Sequence, residues 1–335
     1  MKSIVLFAAD GAMASQLTGI IDFFMICNRF WQVTNNQDTD LFTVNVISPN
    51  GNNITCDGGI VINATSLKNV ALPSAAVIVG GVSYDDKTLT KYLTKISPLK
   101  QDILKCEKNA VPIATFCSST FIAAEFGLLN GKKATTVWWL VKIFTQKYPQ
   151  VTLQLDELVV RDKAIFTAGA TTSYLSLCLK LVEELFDGQL ADQISRLMLI
   201  DPNRCSQRPF MLLDLPERHH DDLIKKIQQW MIQNLSQPIS LDLLADKFAT
   251  TKRTLIRRFK KVLNDTPMNY LQKIRVESAK RLLECSGLSL EQIVLKVGYE
   301  DVSSFRKLFV ELVELTPREY RERFQQSINA NIIEG

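Results

Sequence analysis

One cysteine in the N-terminal part of the chain has the neighbours of a nucleophile. Cys117 follows a short apolar run, residues 111–116, and precedes the small residues Ser118 and Ser119. A sharp turn from a strand into a helix exposes the side chain at the turn, and the helix N-terminus favours a thiolate there. This pattern predicts an exposed Cys117 with a lowered pKa. The alternative is a buried core cysteine, the commoner environment of this residue.

Catalysis by Cys117 would need a base, usually a histidine. The chain has two histidines, His219 and His220, so no Cys–His pair can form within residues 1–218. A carboxylate such as Glu125 has an ordinary pKa that matches a thiol poorly. We therefore expect Cys117 to be a vestigial, non-catalytic nucleophile. The two histidines are interpreted as solvated linker residues, and we expect no metal site.

The elements around Cys117 alternate between strand-like and helix-like patterns. This alternation predicts an α/β domain with a mostly parallel sheet and helices on both faces. Ligands of such sheets bind beyond the carboxyl ends of the strands. There, Gly80 and Gly81 would place backbone donors beside Cys117. Strands are predicted at 4–9, 42–48, 76–80 and 111–116, and helices at 17–31, 89–108 and 121–129.

A different pattern occupies the C-terminal third. Residues 241–248 form a short amphipathic helix, and the hydroxyl of Thr250 or Thr251 can cap a second, basic helix. Two short helices joined by a capped turn are typical of a helix-turn-helix unit whose recognition helix comes last. Taken alone, this stretch also fits a solvated basic helix on an unrelated helical domain.

The same pattern recurs about fifty residues later. Proline at 267 suits the first turn of a long bridging helix. After residues 289–296, Gly298 is placed to end one helix and Asp301 to cap the next. The repetition favours an all-α C-terminal domain with two helix-turn-helix units held by one helix.

The outward positions of the two predicted recognition helices carry residues that can read base edges. Arginine pairs bidentately with guanine, serine serves donor or acceptor edges, and isoleucine can contact a thymine methyl. For each residue the alternative is a phosphate contact or a solvated side chain, which we favour for Arg258, Lys260 and Lys261. The candidates are Arg253, Ile256 and Arg257 on the first helix, and Ser303, Ser304, Arg306 and Lys307 on the second.

Composition and charge are consistent with this division. With 335 residues, 46% hydrophobic and 22% charged, the chain can bury two separate cores and has no apolar run of membrane-spanning length. Its seven cysteines are scattered without C-x-x-C spacing, which predicts a reduced cytoplasmic protein without disulfides, metal or cofactor. Residues 217–325 hold 20 Lys and Arg against 15 Asp and Glu, whereas the remainder holds 19 against 20. A polyanionic partner is therefore expected at the C-terminal third.

Residues 221–324 resemble the DNA-binding domain of the AraC family of transcription regulators. The resemblance rests on the motifs AKRLLE, IVLKVGYED, SSFRKLF and LTPREYR. It implies binding of double-stranded promoter DNA in two successive major grooves, usually as a homodimer. RNA polymerase is the expected protein partner.

Residues 1–210 resemble the class I glutamine-amidotransferase-like superfamily, in the branch fused to AraC-type domains. The resemblance rests on VIVGG, FCSS, AEFGLLNGKKATT, TAG at 167–169 and RCSQRPF at 204–210. Val137 stands where that superfamily has a histidine, and Gln16 stands where it often has an acidic residue. The resemblance implies a former enzyme scaffold reused as a sensor or dimerisation module. Its pocket would be lined by Gln16, Gly80, Gly81, Cys117, Ser118, Val137 and Trp138.

These observations predict a cytoplasmic, sequence-specific transcription regulator controlled by a small metabolite or by dimerisation. The predicted domains are 1–210 and 221–325, with a linker at 211–220. One alternative is a cysteine-dependent amidase or hydrolase fused to a DNA-binding domain. Another keeps DNA binding but gives the N-terminal domain only a structural or docking role.

Overall fold

The computed structural model describes residues 1–201, 206–212, 219 and 221–325. The chain forms two compact units, the first ending at Gln207 and the second beginning at Arg208. This division falls three residues before the end of the predicted first domain. Most of the predicted linker, together with Cys205 and His220, lies outside the described residues.

The N-terminal unit is built on a six-stranded, mostly parallel sheet. The strands of the whole unit, of which six form this sheet, are β1 (Lys2–Phe7), β2 (Phe42–Ile47), β3 (Ile54–Thr55), β4 (Val61–Ile62), β5 (Ala75–Ile78), β6 (Ile113–Phe116), β7 (Lys133–Ala134), β8 (Thr152–Leu153), β9 (Val159–Asp162) and β10 (Ile165–Ala168). The main sheet has the order β2-β1-β5-β6-β10-β9, and only the β9–β10 pair is antiparallel. Every residue of β5, β6 and β10 is buried, as expected when both faces of a parallel sheet are covered. The predicted α/β fold is confirmed.

All three helices predicted for this unit differ from their predicted extents, and the one predicted over 17–31 is longer, from Ala14 to Asn35. The helices are α1 (Ala14–Asn35), α2 (Asp86–Ile96), α3 (Lys100–Lys108), α4 (Ser119–Glu125), α5 (Val141–Lys147), α6 (Tyr174–Leu185) and α7 (Gly188–Leu197). The single helix predicted over 89–108 is broken into α2 and α3 by a 3₁₀ turn, because Pro98 cannot donate a backbone hydrogen bond. The helix predicted over 121–129 ends earlier, and Gly127 follows it in the left-handed conformation.

The C-terminal unit is all-helical and contains two helix-turn-helix units. Its helices are α8 (Asp222–Gln233), α9 (Leu241–Lys247), α10 (Lys252–Leu263), α11 (Pro267–Cys285), α12 (Leu290–Lys296), α13 (Val302–Val313) and α14 (Pro317–Phe324). The pair α9–α10 packs around Leu255 and Phe259, and the pair α12–α13 packs around Phe305 and Phe309. Helix α11 contributes residues to both cores. The predicted tandem arrangement is confirmed.

Local sequence signals explain both helix-turn-helix turns. Ala249 and Gly298 each lie two residues after a helix ends and adopt positive φ, 47° and 81°. The following recognition helices are capped by Thr251, which accepts from Thr254 N, and by Asp301, which accepts from the backbone of Ser303 and Ser304. The predicted roles of Gly298 and Asp301 are confirmed. Among the described helices, none combines the length and the apolar character needed to cross a membrane.

Candidate functional site

Cys117 lies at a sharp turn between a strand and a helix. Strand β6 ends at Phe116 and helix α4 begins at Ser119. Cys117 itself has φ of 56°, a conformation that residues with a side chain rarely adopt. Its backbone N–H donates to the carbonyls of Ala168 and Gly169, at 3.1 and 2.7 Å. These bonds hold the turn against the end of β10, so the predicted elbow is present.

The thiol of Cys117 is buried, not exposed. The residue is 9% exposed, and burial is the main cause that raises the pKa of its thiol. The backbone of Ser118 and the side chains of Thr171, Ser118 and Gln16 act in the opposite direction without outweighing burial. The predicted exposed thiol with a lowered pKa is therefore wrong. Desolvation disfavours the thiolate more than the nearby donors favour it.

The positions that would support catalysis hold groups that do not titrate near neutral pH. Gln16, 2% exposed, hydrogen-bonds to the thiol, but a neutral amide cannot take a proton from it. Val137 is fully buried and apolar where a histidine is expected. The neighbouring Thr136 donates its hydroxyl to the Cys117 carbonyl at 3.0 Å. The thiol is thus held by hydrogen bonds from side chains that serve poorly as general bases.

Close packing against neighbouring atoms explains why positions 80 and 81 are occupied by glycine. A Cβ on Gly80 would lie 2.7 Å from Ser118 Oγ, and one on Gly81 would lie 2.8 Å from the Gly11 carbonyl oxygen. Ser118 Oγ donates to the Gly81 carbonyl at 2.7 Å. These contacts draw the end of β5 and the Cys117 turn together. Donation from the two glycines to a ligand stays a prediction.

Trp138 belongs to an aromatic cluster beside Val137. Its ring meets that of Trp139 edge-to-face at 5.3 Å, and Trp139 stacks with the exposed Tyr84 at 6.0 Å. Trp139 Nε1 also donates to the Ser83 carbonyl at 3.2 Å. These contacts join Trp138 and Trp139 to residues 83 and 84, and the lining of a ligand pocket by Trp138 stays a prediction.

Sequence reasoning missed Gln207 as part of this site. Its side-chain amide is 2% exposed and donates to Thr135 Oγ1, the Thr136 carbonyl and the Leu155 carbonyl, at 3.1, 3.2 and 2.8 Å. Through Thr136, this amide supports the Cys117 turn. The available signal was its place within the motif RCSQRPF.

His219 is not a free linker residue. Asp221 N donates to His219 Nδ1 at 3.3 Å, so Nε2 carries the proton that is shared with Gln228 Oε1 at 2.8 Å. The ring is half-buried at the start of α8, which corrects the expectation of a solvated side chain. Within the described residues, no group of three or more His, Cys, Asp or Glu side chains is arranged to hold a metal ion.

The predicted base-reading residues occupy the exposed faces of α10 and α13. On both helices they point away from the buried phenylalanines that form the cores. Exposure makes base contact possible, and the contact itself stays a prediction. The exposed residues are Arg253, Ile256, Arg257, Ser303, Ser304, Arg306 and Lys307.

Ser304 and Arg258, on these two helices, have structural partners. Ser304 Oγ donates to Asp301 Oδ2 at 2.5 Å, so its hydroxyl supports the cap of α13. Arg258 donates to both carboxylate oxygens of Asp221. For Arg258 this pair corrects the expected solvated side chain, and a phosphate contact stays a prediction. Lys260 and Lys261 are exposed as expected.

Comparisons with known proteins match the N-terminal and C-terminal parts of the chain to two different family models. A model described as DJ-1/PfpI family matches residues 2–184, and one described as helix-turn-helix domain matches residues 244–323. The HTH-type transcriptional regulator CdhR of Pseudomonas aeruginosa is 28% identical over 304 residues, which cover 88% of this chain and 83% of CdhR. The HTH-type transcriptional regulator GbdR of the same species is 22% identical over 288 residues, covering 84% and 76%.

Among solved structures, Drosophila melanogaster DJ-1beta is similar to this chain, with 20% sequence identity and a TM-score of 0.48. The match covers 60% of this chain and 98% of the DJ-1beta chain. The match to the DJ-1/PfpI model spans more than half of the chain, and the match to the helix-turn-helix model follows it. The chain therefore belongs to the DJ-1/PfpI family and carries an AraC-type helix-turn-helix domain after it.

Proposed function

We propose that this protein is a sequence-specific transcription regulator that inserts α10 and α13 into successive major grooves of promoter DNA. The observation that carries the proposal is the tandem arrangement itself. Two recognition helices, each with a capped N-terminus and exposed polar residues, are joined through the single helix α11. Related chains that match over most of their length are named as transcriptional regulators.

The charge distribution supports a nucleic-acid partner. Residues 217–325 hold 20 basic and 15 acidic residues, so the excess of positive charge lies in this part of the chain. Phosphate contacts by such residues supply sequence-independent affinity, and base contacts add specificity. RNA polymerase is the proposed protein partner, the cytoplasm the proposed location, and a homodimer the proposed assembly.

The N-terminal unit is proposed to act as a sensor or dimerisation module without catalysis. The buried thiol of Cys117 and the apolar Val137 support this role. A small metabolite is proposed to bind beside Gln16, Gly81 and Trp138, and of these three residues only Trp138 is partly exposed in the unliganded chain. An amidase is disfavoured because the side chains at the thiol are amide or hydroxyl groups.

Selection from a random pool of duplex DNA by the full chain tests the proposed function. We expect enrichment of a bipartite site whose two parts lie about 10 base pairs apart, one helical turn of DNA. A matched variant with both Arg257→Ala and Arg306→Ala should enrich no such site. Failure of the unaltered chain to enrich any sequence would contradict sequence-specific binding.

A further inference from the structure

Arg275 lies in the middle of the bridging helix α11 and is 8% exposed. Its Nε donates to the Leu235 carbonyl at 3.2 Å, and its Nη2 donates to the Gln237 carbonyl at 2.7 Å. Both carbonyls belong to the connection between α8 and α9. This guanidinium therefore holds the backbone that leads into the first helix-turn-helix unit.

The same guanidinium faces the turn of the second helix-turn-helix unit. Its central carbon lies 5.3 Å from the ring centre of Tyr299, between α12 and α13. The preceding Gly298 packs so closely that a Cβ there would lie 2.2 Å from the Leu235 carbonyl oxygen and 2.6 Å from Arg275 Nη2. The turn of one unit thus touches the backbone of the other, with Arg275 between them.

The chemistry of this contact requires an arginine. Burial lowers the pKa of the Arg275 guanidinium, yet its ordinary value is so high that the group stays charged. A buried cation needs acceptors, and two carbonyls and an aromatic face satisfy it here. The planar fork of arginine reaches both carbonyls while stacking, whereas the ammonium group of lysine acts as a point charge.

We propose that Arg275, packed against Gly298 and Tyr299, is a positioning residue that fixes the two helix-turn-helix units relative to each other. It thereby sets the spacing between the two DNA subsites that the protein accepts. This inference rests on the proposed function. Each added base pair moves one groove by about 3.4 Å and rotates it by roughly 35°, so a rigid pair of units rejects altered spacings.

The test uses the full chain and the bipartite site enriched from random DNA. Adding or removing one base pair between the subsites should weaken binding by the unaltered protein by about tenfold or more, because the DNA must deform. Arg275→Lys should reduce this penalty to about threefold while leaving base preferences within each subsite unchanged. Arg281→Lys, at an exposed position on the same helix, should keep the full penalty.

A second measurement examines how rigidly the two helix-turn-helix units are held relative to each other in the absence of DNA. Spin labels at positions 261 and 311, near the ends of the two recognition helices, report the distance between them after Cys285 and Cys205 are replaced by serine. We expect a narrow distance distribution in the otherwise unaltered protein and a broader one with Arg275→Lys. If Arg275→Lys does not fold, Tyr299→Leu takes its place, which removes the ring that stacks on Arg275 together with its edge-to-face contact with Phe305.

An unchanged distance distribution together with an unchanged spacing penalty would overturn the role of Arg275. Loss of base preference in both subsites of a folded variant would also overturn it, because the residue would then support the helices themselves. Absence of any enriched site with the unaltered protein would contradict the proposed function instead. In that case the distance distributions still decide whether Arg275 fixes the two units.

Discussion

Arg258 of α10 donates two hydrogen bonds to the carboxylate of Asp221, from Nε at 2.8 Å and from Nη2 at 2.6 Å. Asp221 is also the N-cap of α8 and accepts from Ile224 N at 3.1 Å. One carboxylate therefore joins the first recognition helix to the first helix of the DNA-binding unit. Two N–H groups of the Arg258 guanidinium are engaged in this way, so Arg258 orients α10.

Removing this carboxylate should destabilise the C-terminal unit. We expect Asp221→Ala to lower the free energy of unfolding by about 1–3 kcal/mol, because it removes a helix cap and leaves Arg258 without its partner. Urea unfolding of the full chain, followed by the circular dichroism of its helices, measures the change. Asp222→Ala removes the neighbouring exposed carboxylate and should shift the value by no more than about 0.5 kcal/mol. Equal effects of the two changes would show that the pair with Arg258 contributes nothing.

The same contact predicts a pH dependence. The hydrogen bond from Arg258 is the main cause that lowers the pKa of Asp221. Because the folded pKa lies below the unfolded value of about 3.9, the stabilisation is fully present above that value and is lost as the pH falls through the folded pKa. The urea midpoints of the unaltered protein and Asp221→Asn should therefore differ at pH 7 and converge in acid. A difference that stays constant to the lowest pH at which both proteins fold would contradict this assignment.

Arg257 and Arg306 are predicted to read bases. Each change to alanine should cost roughly 1–3 kcal/mol on the enriched site and relax the preference at one base position. The two affected positions should lie about one helical turn apart. Titration of labelled duplexes with single base changes, at a fixed salt concentration, measures both effects.

Lys260→Ala is the matched control for these changes. As an exposed cation it should weaken binding to specific and random DNA alike and reduce the log–log salt slope by about 0.9. If Arg257→Ala and Arg306→Ala behave in this same way, both arginines contact phosphates and the base-reading assignment fails.

Cys117 should react slowly. Because burial raises the pKa of its thiol, iodoacetamide should label the exposed Cys285 first and reach Cys117 only when the protein unfolds. Mass spectrometry of peptides after timed labelling gives the order. Cys117→Ser should bind DNA normally, and the purified protein should not hydrolyse amides. Rapid labelling of Cys117 in the folded protein, or hydrolysis abolished by Cys117→Ser, would restore an active nucleophile.

Features encoded within a few residues could be predicted from the sequence. The cap at Asp301, the left-handed Gly298 and the turn at Cys117 each depend on neighbouring residues, and all three are present. The burial of Cys117 arises from the packing of elements that are distant along the chain, so the local pattern could not decide between an exposed thiol and the buried alternative. Gln16 and Thr171, which hydrogen-bond to the thiol, are likewise distant from it in sequence.

The long-range partners of charged residues could not be predicted from the sequence either. In the sequence, Arg275 and Arg258 look like ordinary cations on amphipathic helices. Their roles arise from partners about 40 residues away, the Leu235 carbonyl for Arg275 and the Asp221 carboxylate for Arg258. Helical periodicity places a side chain on a face, but only the packing of helices decides what that face meets.

Methylation protection of the enriched site by the full chain shows whether the two helix-turn-helix units contact DNA together. We expect two protected sets of guanine N7 positions in adjacent major grooves, about 10 base pairs apart. Arg257→Ala should weaken one set more than the other, and Arg306→Ala should do the reverse. Protection of a single groove, unaffected by one of the two changes, would show that the two units do not bind DNA together.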